Sequence, residues 1–303
     1  MNTADPEQAG GAGPGGSGSR DADSVGSGGS GGRGFRGFRG VRGRHRGGVL
    51  AEAWSAGPGG AEEVQAHSHA GWQLTLSPDF PGVYRACGAD HAVPVGSLCV
   101  VAPGEAHACR DPFAREAPAT WRVLTVDADT MQEAGAGPAA GGFRLTEDPG
   151  AVAAAERLHR AVLTAGRSAV PEALAGLALA LRRLGGGAPL PAAGPSAGLR
   201  RARELLEASP AAPAPLDRLA EEAGLSRSHF VRAFGAAFGV TPGRYGAWRR
   251  ADLAKRVLAS EPGMPLAEVA FRCGFSDQSH LHRWVVRVTG TTPARYRAAC
   301  AAG

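Results

Sequence analysis

The sequence predicts a multidomain α+β chain. A β-rich module with two helices precedes an all-α region of two helix-turn-helix units joined by a long helix. Three observations carry this reading: short β-prone runs divided by Gly and Pro over residues 49–127, a Pro/Gly/Ala stretch GGGAPLPAAGPSAG from Gly185 to Gly198, and a helical pattern beyond it that occurs twice. Short strands at regular spacing with turn signals between them suggest a small sandwich or barrel. A Pro/Gly-rich stretch between two unlike textures reads as a linker.

Residues 1–48 hold 17 of the 46 glycines and almost no aliphatic side chains. Such a stretch cannot bury enough apolar surface to offset the entropy of ordering, so it is expected to be a disordered Gly/Arg-rich tail. It ends in GFRGFRGVRGRHRGG, and Arg-Gly repeats can touch nucleic acid loosely. A plain flexible tail is the preferred reading.

Residues 49–184 form the expected β-rich module with its helical pair. Its strands are read in GWQLTLS, GVYRACG, GSLCVVAPG and TWRVLTVD. Two helices follow, from Ala151 to Leu163 and from Pro171 to Leu184. Val152, Leu158, Val162 and Leu163 share one face of the first, and Leu174, Leu177, Ala178 and Leu181 share one face of the second. The pair is expected to pack on the barrel or on a second subunit. Residues 185–198 are the linker, and 199–303 the reader.

Within the reader, Leu216, Leu219, Ala220, Gly224, Leu225 and Ser226 recur fifty residues later as Leu266, Val269, Ala270, Gly274, Phe275 and Ser276. After one extra residue the echo continues at fifty-one, from His229 and His280 to Tyr245 and Tyr296. Each copy reads as a short helix, a tight turn at Gly-Leu-Ser or Gly-Phe-Ser, and a second helix whose Ser is the expected N-cap. Thr241-Pro242 and Thr292-Pro293 place a cap before a proline, so each starts a further helix.

Each second helix divides into an apolar and a polar side. In the first, Phe230, Ala233, Phe234, Ala237 and Phe238 oppose Arg227, Ser228, Val231 and Arg232. In the second, Leu281, Trp284, Val285 and Val288 oppose Gln278, Ser279, His282 and Arg283. The polar sets coincide under the offset of fifty-one. Their chemistry suits a DNA major groove, where Arg bridges guanine O6 and N7 and Gln pairs with adenine N6 and N7. His229 and His280 lie between the faces and are expected to be half-buried.

Charge supports the division of labour. Residues 199–303 carry sixteen basic against nine acidic side chains, a net +7, whereas residues 49–198 carry a net −5. The basic excess that suits a polyanion is therefore concentrated in the reader. Cys87, Cys99, Cys109, Cys273 and Cys300 are odd in number and lack a C-x-x-C pair, which argues against a disulfide framework or a structural zinc site. No apolar stretch approaches the ~20 residues of a membrane span. A cytoplasmic protein that is neither secreted nor embedded is expected.

Residues 199–300 resemble the DNA-binding domain of the AraC/XylS family of bacterial regulators, through LDRLAEEAGLSRSHFVRAFGAAFGVTPGRY and GFSDQSHLHRWVVRVTGTTPARYR. The resemblance implies a sequence-specific, effector-responsive transcription regulator whose two recognition helices enter successive major grooves of promoter DNA. It implies RNA polymerase as a partner and activation as the usual outcome, with no catalytic residue and no enzyme activity. The stretch from Pro242 to Leu258, containing Trp248, Leu253 and Val257, fits the family's connecting helix. Trp284-Val285 departs from the family pattern of an aliphatic followed by Phe.

His67-Ser68-His69 with Gln73, and Gly96 through Pro103-Gly104-Glu105-Ala106-His107, resemble the two motifs of a cupin barrel over residues 60–127. The resemblance implies an effector-sensing half with a small-molecule pocket near His67, His69, Gln73 and His107. In cupin enzymes a carboxylate joins such histidines around a metal. Gln73 stands where that carboxylate belongs, so neither a metal nor another cofactor is expected. It also counts against the rival reading, a cupin metalloenzyme with a DNA-binding appendage. Trp72 and Trp121 could line the pocket, although core is the commoner place for such residues. The helices from Ala151 to Leu184 are the expected contact in a homodimer.

Overall fold

The β-prone runs pair into two antiparallel sheets. The computed structural model describes residues 38–136, 142–164, 168–184 and 195–302. Strands β1 (Phe38–Arg46), β2 (Val49–Ala56), β3 (Glu63–His67), β4 (Trp72–Leu76), β5 (Gly82–Ala86), β6 (Ala89–Val93), β7 (Leu98–Val101), β8 (His107–Arg110), β9 (Ala119–Val126) and β10 (Phe143–Thr146) follow in chain order. One sheet runs β1-β2-β9-β4-β7-β10, and the other runs β3-β8-β5-β6. The β half is thus a two-sheet, cupin-like arrangement rather than one closed barrel. Cys99 and Val101 of one sheet meet Tyr84 and Val93 of the other in a small core.

The tail expected over residues 1–48 ends earlier than its composition suggests. β1 already occupies Phe38–Arg46 and pairs with β2 as far as Arg46 opposite Val49. The turn between them is Gly47-Gly48, with φ of 53° and 73°, the left-handed pair that a two-residue hairpin needs. A strand added by backbone pairing needs little apolar surface of its own, so Arg/Gly-rich composition did not prevent it. Residues 1–37 lie outside the described residues.

Helix α1 (Ala128–Glu133) follows β9, and α2 (Pro149–Thr164) and α3 (Ala169–Arg183) form the expected pair. Ala154, Leu158 and Val162 of α2 and Leu174 and Leu177 of α3 share one core with Val49, Leu74, Leu98 and Leu124 of the larger sheet. The pair therefore covers its own sheet. Most of the expected linker, residues 185–194, lies outside the described residues.

The reader comprises α4 (Ala197–Ala208), α5 (Leu216–Glu222), α6 (Arg227–Phe238), α7 (Pro242–Ser260), α8 (Leu266–Arg272), α9 (Gln278–Thr289) and α10 (Pro293–Ala302). Gly224 and Gly274 end α5 and α8 with φ of 66° and 75°, as the repeated turn requires. At Gly274 a side chain is excluded twice over, because a Cβ there would stand 1.9 Å from the Ala211 carbonyl oxygen. Thr241 caps α7 by accepting from the Arg244 amide, and Thr292 accepts from that of Arg295.

Two cores hold the reader together. Leu206, Leu219, Phe230, Phe234, Phe238 and Tyr245 form the first. Leu258, Val269, Phe275, Leu281, Val285 and Tyr296 form the second, but that cluster also contains Trp54 of β2, with Val41, Trp121 and Val123 packed against it. The second helix-turn-helix unit is built onto the larger sheet. Among the described residues no helix is long and apolar enough to cross a membrane.

Candidate nucleic-acid interface and internal cavity

Helices α6 and α9 each turn an apolar side inward and leave a polar side in water. On α6, Phe230 and Phe234 are fully buried, whereas Arg227, Ser228 and Arg232 are exposed and Val231 is half-buried. On α9, Leu281 and Val285 are fully buried, whereas Gln278, Ser279, His282 and Arg283 are all exposed. The residues singled out as base-reading candidates are thus free to meet a partner. Arg227 is steadied by Asp217 of α5 at 3.6 Å, an exposed pair of little energetic weight.

Four local expectations change. Ser226 stands at the N-cap of α6 but makes no side-chain cap bond. In the second unit the cap is Asp277, which accepts from the His280 amide at 2.7 Å, while Ser276 donates to Asp277. The extra residue that shifts the repeat from fifty to fifty-one is therefore the cap itself. His280 is half-buried as expected and meets Phe275 edge-on at 5.2 Å, but His229 is exposed, since α6 has no equivalent contact. Ala237, assigned to the apolar side of α6, is also exposed.

Both sheets of the β half line a partly open cavity of about 120 Å³, through residues including Glu52, Trp54, His67, His69, Gln73 and Tyr84. Trp121 lines it as well, whereas Trp72 packs into the core under α2. The His-x-His at the end of β3 and His107 at the start of β8 come together because the two strands pair with His67 opposite His107. Ring centroids lie 4.4 Å apart for His67 and His107, and 4.9 Å for His67 and His69. Gln73 lines the same cavity and donates to Thr75 at 3.4 Å.

Each of two imidazoles has its Nδ1 engaged by an acceptor. His69 Nδ1 lies 3.3 Å from Asp252 Oδ1, and His107 Nδ1 lies 3.1 Å from the Glu105 carbonyl. Nδ1 is then the protonated nitrogen and Nε2 carries the free lone pair. Burial, only partly opposed by Asp252, pushes His69 down to about 4, and burial with the neighbouring His67 pushes His107 down to about 3. Both rings are neutral at pH 7. Burial alone would raise Asp252, but Arg256, His69 and Arg249 outweigh it and hold the carboxyl well below the usual range.

Asp252 belongs to α7, the connector between the two units. Of this helix Lys255 lines the cavity, and little in the residues pointed to it beyond charges at helical spacing. Trp248 stacks on His67 at 5.2 Å, Lys255 donates to Glu52 at 2.8 Å, and Arg256 pairs with both Asp127 and Asp252. Glu52 also accepts from the Tyr296 hydroxyl at 2.7 Å. The back of α9 reaches the cavity too, through Arg287 and Val288. Glu52, Trp248, Asp252, Lys255 and Arg287 are site residues that sequence reasoning did not assign. Arg249, Asp252 and Lys255 are buried charges at i, i+3 and i+6, and that pattern on a central helix was the one available signal.

The helix-turn-helix domain family matches residues 219–299. A probable transcriptional regulator of Photobacterium leiognathi, LumQ, is 40% identical over 79 residues, covering 26% of this chain and 32% of that protein. The helix-turn-helix-type transcriptional regulator Rv1931c of Mycobacterium tuberculosis is 36% identical over 86 residues, covering 28% and 33%. The chain thus spans about a third of the length of the curated relatives it matches. The fold as a whole resembles ToxT from Vibrio cholerae, with a TM-score of 0.57 at 8% identity over 84% of this chain and 98% of ToxT. ToxT has also been solved with an unsaturated fatty acid bound. Residues 219–299 thus match a helix-turn-helix domain, carried on a β-rich half in a chain whose fold resembles that of ToxT.

Proposed function

We propose that this chain is a sequence-specific DNA-binding transcription regulator whose β half senses a small molecule. The observation that carries the reading is the pair of exposed polar faces, Arg227, Ser228, Val231 and Arg232 on α6 and Gln278, Ser279, His282 and Arg283 on α9, at equivalent positions of two units. The 19 residues of α7 between them span roughly 28 Å at 1.5 Å each, near the ~34 Å of one DNA turn. Two successive major grooves on one face of promoter DNA are the target that this spacing supports. Its other partners are RNA polymerase, a small effector in the cavity and a second copy of the chain, with the cytoplasm as the place of action.

The cavity supports the sensing role because its wall is shared. An effector can bias the reader only by binding two states with different affinity. A ligand against His67, His69 and Gln73 also meets α7 and the back of α9, so it has a physical means to do so. His69→Ala or His107→Ala should alter effector response in a reporter strain at normal protein level.

The test of DNA reading is a footprint with the full chain. Two protected elements about 10 base pairs apart are expected, with affinity falling steeply as salt rises. Arg232→Ala and Arg283→Ala should each weaken binding. Arg227→Ala or Gln278→Ala should relax base preference at one element by about 1–3 kcal/mol per lost bidentate contact. A footprint confined to one groove overturns the two-helix reading.

A further inference from the structure

We propose that His67, His69 and His107 hold a divalent transition metal, and that Asp252 of α7 ties its occupancy to the connector of the reader. This deepens the sensing role proposed above by naming the ligand's chemical class, and it rests on that reading.

The donor atoms of the three histidines lie within 4.8 Å of one another, and all three residues are buried. Two of these atoms stand out. His69 Nε2 and His107 Nε2 have no hydrogen-bond partner, although their residues are 6% and 1% exposed. A buried polar atom without a partner costs free energy, and such atoms are few in folded proteins. Here two occur on rings whose centroids lie 5.4 Å apart.

The surroundings suit a metal better than a hydrogen-bonding ligand alone. A metal-bound imidazole almost always donates its other ring N–H to a carboxylate or a backbone carbonyl, which fixes the tautomer and raises the basicity of the ligating nitrogen. His69 has the carboxylate, Asp252, and His107 has the carbonyl, that of Glu105. Three imidazole ligands without a carboxylate favour Zn²⁺, Cu²⁺, Ni²⁺ or Co²⁺ over Mg²⁺ and Ca²⁺, which select oxygen. The missing carboxylate at Gln73 changes the kind of site without removing it. Three protein ligands leave a fourth position open to water or a small anion, as in other three-histidine zinc sites.

Coupling follows from geometry. At Zn–N distances of about 2.0–2.1 Å, tetrahedral ligand atoms sit roughly 3.3 Å apart, so a cluster reaching 4.8 Å must contract on binding. His69 draws on Asp252 and His67 on Trp248, both in α7. A metal would also make the His69 N–H a stronger donor to Asp252. Occupancy therefore tightens the contact between the sensing sheet and the helix that spaces the two recognition helices.

The test titrates chelator-stripped full-length protein with Co²⁺ alone and reads the visible d–d absorption of a low-symmetry nitrogen site. One equivalent should saturate the band. His69→Gln and His107→Gln should abolish it, with folding checked by circular dichroism. Asp252→Asn should retain the band but bind roughly 10–100-fold more weakly, as expected for a residue that orients a ligand. Hydrogen exchange of the α7 amides should slow on Co²⁺ addition in the unsubstituted chain and respond less in Asp252→Asn. A folded chain with no band overturns the metal site, and so does a band that survives in the histidine variants. An unchanged α7 exchange pattern at saturation overturns the coupling. Binding of mixed-sequence duplex at low salt is measured separately, so a failure of DNA binding strikes the regulator reading while leaving the metal result intact.

Discussion

The two helix-turn-helix units are near copies in sequence, yet they are held by different things. Tyr245 and Tyr296 occupy the same place in the repeat. Tyr245 donates to Glu207 of α4 and lies beside Ser68 of the β half, whereas Tyr296 donates to Glu52 of β2 in the larger sheet. The cores differ in degree: Phe230, Phe234 and Phe238 fill the first, with Ala66 of β3 packed against its edge, while Trp54 from the larger sheet is a buried member of the second. A repeat conserves the recognition helix and its turn, and the surroundings decide what each copy reports to. The second unit is the one placed to feel the cavity.

Core truncation gives the largest expected effect and the sharpest break of the comparison. Trp54→Ala and Phe234→Ala should each cost about 3–5 kcal/mol, the usual range for removing a buried aromatic ring. Their location should differ. Hydrogen exchange should show α8 and α9 loosened by Trp54→Ala, a substitution more than two hundred residues away in the chain, with α6 spared. Phe234→Ala should loosen α5 and α6. If Trp54→Ala spares α9, the second unit is not built on the sheet.

The tyrosine pair comes next. Tyr245→Phe and Tyr296→Phe each remove a hydrogen bond to a carboxylate, worth about 1.5–3 kcal/mol in chemical denaturation. Tyr296→Phe should also weaken the response of DNA binding to effector, and by more than Tyr245→Phe. Equal effects of both on that response would dissolve the distinction between the units.

The smallest effect concerns the caps. Asp277→Ala should destabilise measurably, whereas Ser226→Ala should change stability far less because that side chain makes no cap bond. A matched loss at both positions would restore the symmetry that the sequence suggests.

Much of this was legible in the residues. The four β-prone runs became β4, β5, β7 and β9, the two periodic segments became α2 and α3, and the repeat located both recognition helices. Gly224, Gly274, Thr241 and Thr292 act as their types require. β1 was missed because its pairing is backbone chemistry, which composition does not record, although Gly47-Gly48 was a turn signal in plain view. Of the pocket candidates read from motif spacing, His67, His69 and Gln73 line the cavity and His107 lies against the first two, but the contributions of Lys255 from α7 and of Arg287 and Val288 from α9 were not read. Periodicity shows that a helix has a buried face without showing against what, and Asp252 meets His69 across 183 positions of chain.

The bond from Tyr296 to Glu52 spans 244 positions, so the second unit completes its core only when the first and last stretches of the described chain have met. Contacts of such sequence separation form late, because loop closure must precede them. During synthesis the sheet emerges first and holds Glu52 with neither Lys255 nor Tyr296 to partner it. The first unit can mature around its phenylalanines meanwhile. The nascent chain therefore passes through a stage with one finished helix-turn-helix unit, and finishes the second by the same closure that brings Lys255 and Tyr296 to Glu52.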